Sequence, residues 1–271
     1  MSNTIIGRAM NRDSFTDLKI IDMHCHLGPT DNFYFPKAEI EEMLEDADLF
    51  GTYKLCVAPH VGISADHKLG NKLAHEAITK FPDRVYGMLC FNPNFPEEID
   101  CEFDAYYHIP QFVGVKIHPS SHKCPLTASV YRSIFERLCE KGGFLLTHTW
   151  ESDSNCDAAA CENTVKDFPG VNFILAHSLG LQDGIYKAIS LVNRYDNCYM
   201  DTSGFEFSNV SIEAIMAKVD NNKVFFGSDM PFHDMRCGIS RILYADLSDA
   251  VKEMLLSSNY VNFLEKCRKT G

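Results

Sequence analysis

The sequence predicts a (β/α)8 barrel, a TIM barrel, on three observations. Eight short apolar runs recur along the chain, and each is followed by a stretch whose apolar residues are spaced as on a helix. Most of the runs are continuously apolar, as in strands of a parallel sheet covered by helices. Eight such units in 271 residues match the count and size of that fold. No Gly-x-Gly-x-x-Gly follows any run, which weighs against a dinucleotide-binding sheet and leaves a doubly wound open sheet as the alternative. No Pro- or Ser-rich linker divides the chain, so residues 1–271 read as one domain.

The first strand is 20–26 (IIDMHCH), where strict alternation sets Ile20, Asp22, His24 and His26 on one face. A helix over 38–50 follows, and Gly51 is placed to stop it. Strand 53–58 ends at Pro59-His60, and a helix over 67–81 closes at Pro82-Asp83. Strand 84–91 precedes an acidic helix over 97–108, and strand 112–118 (FVGVKIH) ends at Pro119. Thr127 is placed as the cap of a helix over 128–141 that Gly142-Gly143 ends. Strand 144–149, helix 157–168, strand 171–177 and helix 183–195 come next. Strand 198–202 is weaker and leads to a helix over 210–219; strand 224–229 is the last, and 238–269 is helical with Ser248 as an internal cap.

Net charge is −12 and is spread along the chain, which argues against nucleic acid or an anionic membrane as partner, since both need clustered Lys and Arg. The 11 cysteines follow no Cys-x-x-Cys or other regular spacing, and several sit inside apolar runs. They read as buried thiols of a reduced protein. Residues 1–11 have no signal-peptide core and no apolar run reaches membrane-spanning length, so a cytoplasmic protein is the expectation.

His24 and His26 point two imidazoles the same way from one strand end, where a single divalent cation can accept a nitrogen from each. Many His-x-His pairs bind nothing, so the later strands matter. Lys116 and His118 end strand 4, His148 strand 5, His177 strand 6, Asp201 strand 7 and Asp229 strand 8. Polar groups at the ends of otherwise apolar strands cost stability unless they are paired or coordinated. In a TIM barrel these ends form the active face.

The stretches IIDMHCHLG, VGVKIHP, FLLTHT, VNFILAHSLG, CYMDTSG and VFFGSDMPF carry a resemblance that spans nearly the whole chain. The sequence resembles the amidohydrolase superfamily, in particular the family 2 branch of TIM-barrel metal-dependent hydrolases that includes aminocarboxymuconate-semialdehyde-type decarboxylases. The resemblance implies that His24, His26 and His148 are metal ligands and that His177 is the strand 6 histidine, either a further ligand or free to act on substrate. It implies that Asp229 binds the metal weakly and takes the proton of its water. That chemistry suits Zn²⁺, which lowers the pKa of bound water from about 15.7 to about 7. Two readings of Lys116 follow: a carbamate bridging two metals, as in binuclear members, or a charged partner for Asp229 or an anionic substrate. One Zn²⁺ is expected, and two if Lys116 is carbamylated.

Asp22 reads either as the acceptor that orients a ligand histidine or as a structural hydrogen-bonding group, and Asp201 as a residue shaping the last loops. His118, Trp150 and Arg236 are candidate substrate contacts, with His233 beside Arg236. The expected function is hydrolysis of an amide, ester or lactone in a small molecule, one that carries a carboxylate on one reading. A metal-dependent decarboxylase of the same branch is the alternative, and a non-catalytic metal-binding barrel is the rival from another class. A barrel-type DNase is disfavoured by the acidic balance. Members of the branch are often dimers, which leaves a homodimer open.

Overall fold

The computed structural model describes residues 4–30, 33–204 and 207–269. Eight strands form one parallel sheet in sequential order: β1 (Ile20–Leu27), β2 (Thr52–Pro59), β3 (Val85–Cys90), β4 (Phe112–Ile117), β5 (Phe144–His148), β6 (Asn172–Ala176), β7 (Cys198–Asp201) and β8 (Val224–Phe225). Helices alternate with them, and the expected (β/α)8 barrel is the observed fold. Caps follow their chemistry: Asp66, Asp157 and Ser248 each accept an amide from the first turn of the helix they precede. The helix expected from 128 opens as a 3-10 turn with Ala128, not Thr127, at its cap position. Three short helices escaped the sequence reading, Ile5–Asn11, His60–Ser64 and Pro119–His122.

β8 is shorter than the apolar run 224–229 suggests. After Phe225 the chain leaves regular pairing yet still joins the sheet to β1, through Met23 N to Phe226 O (3.1 Å), Asp229 N to His24 O (2.8 Å) and His26 N to Met230 O (2.7 Å). These bonds close the barrel. Asp229 itself takes a left-handed conformation (φ 64°), which turns its side chain out of strand geometry.

β1 departs from strict alternation as well. Its register against β2 shifts between Asp22 and Cys25. Ile21 and Met23 therefore join the inner apolar layer of the barrel, yet His24 and His26 also turn inward to meet Lys116 and Asp229. Asp22 fills the irregularity: its Oδ1 accepts the amides of His24 (3.3 Å) and Ser228 (2.9 Å). It serves the backbone rather than an imidazole.

Inside the barrel, the N-terminal end is closed by aromatic side chains. Phe144, Tyr199 and Phe225 meet Tyr260 and Phe263 of the C-terminal helix (Asn259–Lys269), with Phe263 4.6 Å from Tyr199 and 4.9 Å from Phe225 between ring centroids. Gly114 makes room for Phe144, since a Cβ there would lie 2.8 Å from its ring. Gly114 thus faces the interior, and Lys116, two residues on, does so at the other end of the strand. Lys116 is fully buried.

Candidate metal centre

Three donor atoms converge at the C-terminal end of the barrel. His24 Nε2 and His26 Nε2 are 3.2 Å apart, and Asp229 Oδ1 lies 3.5 Å and 3.1 Å from them. Adjacent donors on an ion with bonds of about 2.1 Å are separated by about 3.0–3.4 Å, so the triangle has the right size. A nitrogen of His177 joins the same group, with the ligand atoms of His24, His177 and Asp229 all within 4.8 Å of one another.

The protonation pattern tests whether a cation fits. His24 Nδ1 lies 2.7 Å from the Asp201 carboxylate, and His26 Nδ1 lies 3.0 Å from the Ala58 carbonyl; both partners only accept, so both Nδ1 atoms carry the proton. Ser203 Oγ donates to Asp201 Oδ1 (2.8 Å), which leaves it to accept from His177 Nδ1 (3.0 Å). Three neutral imidazoles therefore present bare Nε2 lone pairs to one region, two of them facing each other at 3.2 Å. Facing lone pairs repel unless a cation or a donor sits between them. The Lys116 ammonium meets part of that need, with Nζ 2.8 Å from His24 Nε2.

Burial keeps the imidazoles neutral: it pushes His26 down to about 3, and His24, His177 and His148 well below their ordinary value. Burial likewise lowers Lys116 to about 8 against the pull of Asp229 and Asp201. Asp229 is pushed up to about 7 by burial, with Lys116 and His233 opposing. Neutral imidazoles and a carboxylate of raised basicity are what a divalent cation takes as ligands.

His148 lies one ring further out, edge-to-face with His177 at 5.0 Å and outside the 4.8 Å group. It is stacked between His118, at 3.9 Å, and Trp150, at 6.5 Å. The indole fits because residue 180 is glycine in a left-handed conformation; a Cβ there would meet the ring at 2.5 Å. His118 Nδ1 caps the next turn by accepting the Ser121 amide. His233 Nε2 stands 3.7 Å from Asp229 Oδ2. Arg236 is not part of this assembly: it is exposed, ion-paired with Asp234 and laid over Phe50.

Three residues of the assembly had no such role in the sequence reading. Asp201 orients His24 and accepts the His177 amide (2.8 Å), the task one reading gave to Asp22. Ser203 links His24, His177 and Asp201. His60 follows β2 as His118 follows β4, and that shared position at a strand end beside a proline was the available signal.

The Amidohydro_2 amidohydrolase model matches residues 21–260. The chain belongs to the amidohydrolase family. This family member aligns with 5-carboxyvanillate decarboxylase from Sphingomonas paucimobilis at TM-score 0.74 and 14% identity, over 92% of this chain and 99% of that one. It aligns with a dihydroxybenzoic acid decarboxylase from Polaromonas sp. JS666, solved with manganese and the inhibitor 2-nitroresorcinol, at TM-score 0.70 and 14% identity (91% and 96% covered). A 4-oxalomesaconate hydratase from Rhodopseudomonas palustris aligns at TM-score 0.64 and 16% identity (93% and 97% covered). At such identities the likeness is one of fold. No curated protein matches the chain by sequence. No described helix of this amidohydrolase-family protein is long and apolar enough to cross a membrane.

Proposed function

We propose that the protein is a metal-dependent hydrolase acting on an amide, ester or lactone of a small molecule, with Asp229 as general base. The position of the Asp229 carboxylate carries this reading. One oxygen belongs to the donor triangle, 3.1 Å from His26 Nε2, while the other faces the mouth 3.7 Å from His233. His24, His26 and Asp229 would hold the ion, with the remaining donor drawn from the His148–His177 pair. A divalent ion bound there supplies Lewis acidity, polarising a carbonyl and easing the deprotonation of water.

The chain's own residues supply the rest. Asp229 takes the proton of the attacking water and hands it to the leaving nitrogen or oxygen. In its present tautomer His177 has no proton on Nε2 to offer a carbonyl, which supports a donor role for it toward the ion. Lys116 stays an ammonium that offsets the Asp229 charge, so one Zn²⁺ is the favoured stoichiometry. His118, His148 and Trp150 form one wall of the substrate site, and Phe33, Phe35 and Phe232 another.

Decarboxylation is the second reading, favoured by those flat walls and by the structural likeness to decarboxylases of aromatic acids. Elemental analysis of the purified chain, an intact mass that preserves lysine carbamate, and a paired substrate panel decide between them. One equivalent of zinc, an unmodified Lys116 and chelator-sensitive cleavage of esters or lactones are expected. Release of CO₂ from aromatic acids without any hydrolysis would replace the reading with a lyase. Failure to bind any divalent ion would overturn both.

A further inference from the structure

His60 is a buried histidine that the chemistry above does not use. It opens the short helix after β2 and is 3% exposed. Its Nδ1 lies 2.7 Å from the Gly28 carbonyl, an acceptor only, so the proton sits on Nδ1 and Nε2 carries a lone pair. Nε2 is buried with no hydrogen-bond partner, a rare condition in a folded protein. The ring packs 4.9 Å from His26 on one side; on the other, Phe35 stacks on it at 5.3 Å and Phe232 stands at 5.9 Å. Phe33 lies 4.4 Å from Phe232, and both reach the surface.

An orphaned acceptor beside a metal centre and under a wall of phenyl rings has the chemistry of a recognition group. The rings hold off bulk water, so an incoming donor competes with no solvent bond. A second ion is a poorer explanation. Among the described residues His60 belongs neither to the triangle of His24, His26 and Asp229 nor to the group of His24, His177 and Asp229.

We propose that His60 is a specificity-determining residue whose Nε2 accepts a hydrogen bond from a hydroxyl or amino group of the substrate, while a flat apolar part of that substrate lies against Phe35 and Phe232. The inference rests on reading this end of the barrel as the substrate site. It selects among substrates by a donor group, since leaving a buried acceptor unpaired disfavours the analogue that lacks one.

The test compares the ion-loaded protein with His60→Phe, which keeps the ring volume and removes the acceptor. Calorimetry measures binding of 3-hydroxybenzoate, whose hydroxyl donates, against benzoate, which has none. The wild type should prefer a hydroxyl-bearing probe over its match, and His60→Phe should reduce that preference by roughly tenfold. In ¹⁵N spectra the His60 Nε2 resonance should shift with the hydroxyl-bearing probe alone. Metal content and thermal melting of His60→Phe exclude loss of the ion or of the fold as the cause. His60→Gln, which restores a side-chain acceptor, should recover part of the preference.

An equal preference in the two proteins, or no preference for hydroxyl-bearing probes in the wild type, overturns the inference. Either result leaves ion binding and Asp229 chemistry standing. Loss of ion binding in the wild type would instead sink the proposed function.

Discussion

At the N-terminal end of the barrel, Phe263 and Tyr260 close on Phe144, Tyr199 and Phe225, ring against ring. At the C-terminal end Lys116 of β4, Asp201 of β7 and His177 after β6 pack around His24, with His148 of β5 beyond His177. The backbone differs as well. Eight described non-glycine residues take positive φ, and five of them (His177, Ser178, Leu179, Leu181 and Asp229) lie in the turns after β6 and β8. Such conformations cost about 1 kcal/mol or more each. One end gathers apolar contact with little such strain, Lys19 before β1 (φ 48°) being the exception; the other accepts more of it, with desolvated charge and unpaired lone pairs, to place its donors. The two ends divide stability and chemistry between them, so changes at each should have separable effects.

The largest effect expected is at the strained end. Asp229→Asn should lower turnover by about 10²–10⁴-fold, the usual worth of a positioned proton-transfer group. Melted without the ion, the variant should hold or gain stability, because a buried carboxylate whose charge is disfavoured has been replaced by a neutral amide. Steady-state kinetics on whichever substrate the panel identifies, beside a thermal melt, measures both. Full turnover in this variant would remove Asp229 from the mechanism.

Phe263→Ala is the matching change at the closed end. A phenyl ring withdrawn from a packed aromatic layer should cost about 3–5 kcal/mol of stability, read from urea unfolding. Ion stoichiometry measured well below the transition should not change. If the variant also loses its ion, the two ends are coupled through the strands and the division above fails.

The sequence revealed the frame more fully than the site. Apolar runs such as VNFILAH mark strands because burial on both faces forces their composition, and eight of them in 271 residues suit a barrel of this size. Ligand candidates were legible for the same reason, as polar residues ending apolar strands. What sequence spacing cannot carry is register. Period-two alternation placed Asp22 with His24, and a single shift in β1 undid it. Asp201 meets His24 across 177 positions of sequence, and Ser203 across 179. No local pattern encodes such contacts; they exist only once the barrel closes.

Withdrawing the ion should sharpen the contrast at intermediate size. A ligand that binds only the folded chain adds about 2.7 kcal/mol at a concentration 100-fold over its dissociation constant. Chelation should therefore lower the melting temperature of the wild type and of Phe263→Ala by a similar free energy. His26→Ala, which removes one corner of the donor triangle, should show little change on chelation. An equal response in all three proteins would place the bound ion elsewhere.

The smallest effect concerns Asp201, which touches no part of the donor triangle except through His24. Its Oδ1 accepts from the His177 amide (2.8 Å) and the Ser203 hydroxyl (2.8 Å), while Oδ2 accepts from His24 Nδ1 (2.7 Å). An asparagine keeps only one accepting atom. With the Ser203 amide (3.2 Å), three donors hold that oxygen on the Oδ1 side, so the amide NH₂ turns to His24, whose Nδ1 must then accept and surrender its proton to Nε2. The nitrogen facing Asp229 becomes a donor and no longer offers a lone pair to a cation. Asp201→Asn should therefore weaken ion affinity by about 10–100-fold, measured by competition with a zinc chelator. Folding stability should change little, because the bonds of the Oδ1 side persist. ¹⁵N shifts of His24 show the tautomer directly. An Nδ1-protonated His24 in the variant, with wild-type affinity, would mean that packing alone orients the ligand and that the carboxylate is dispensable.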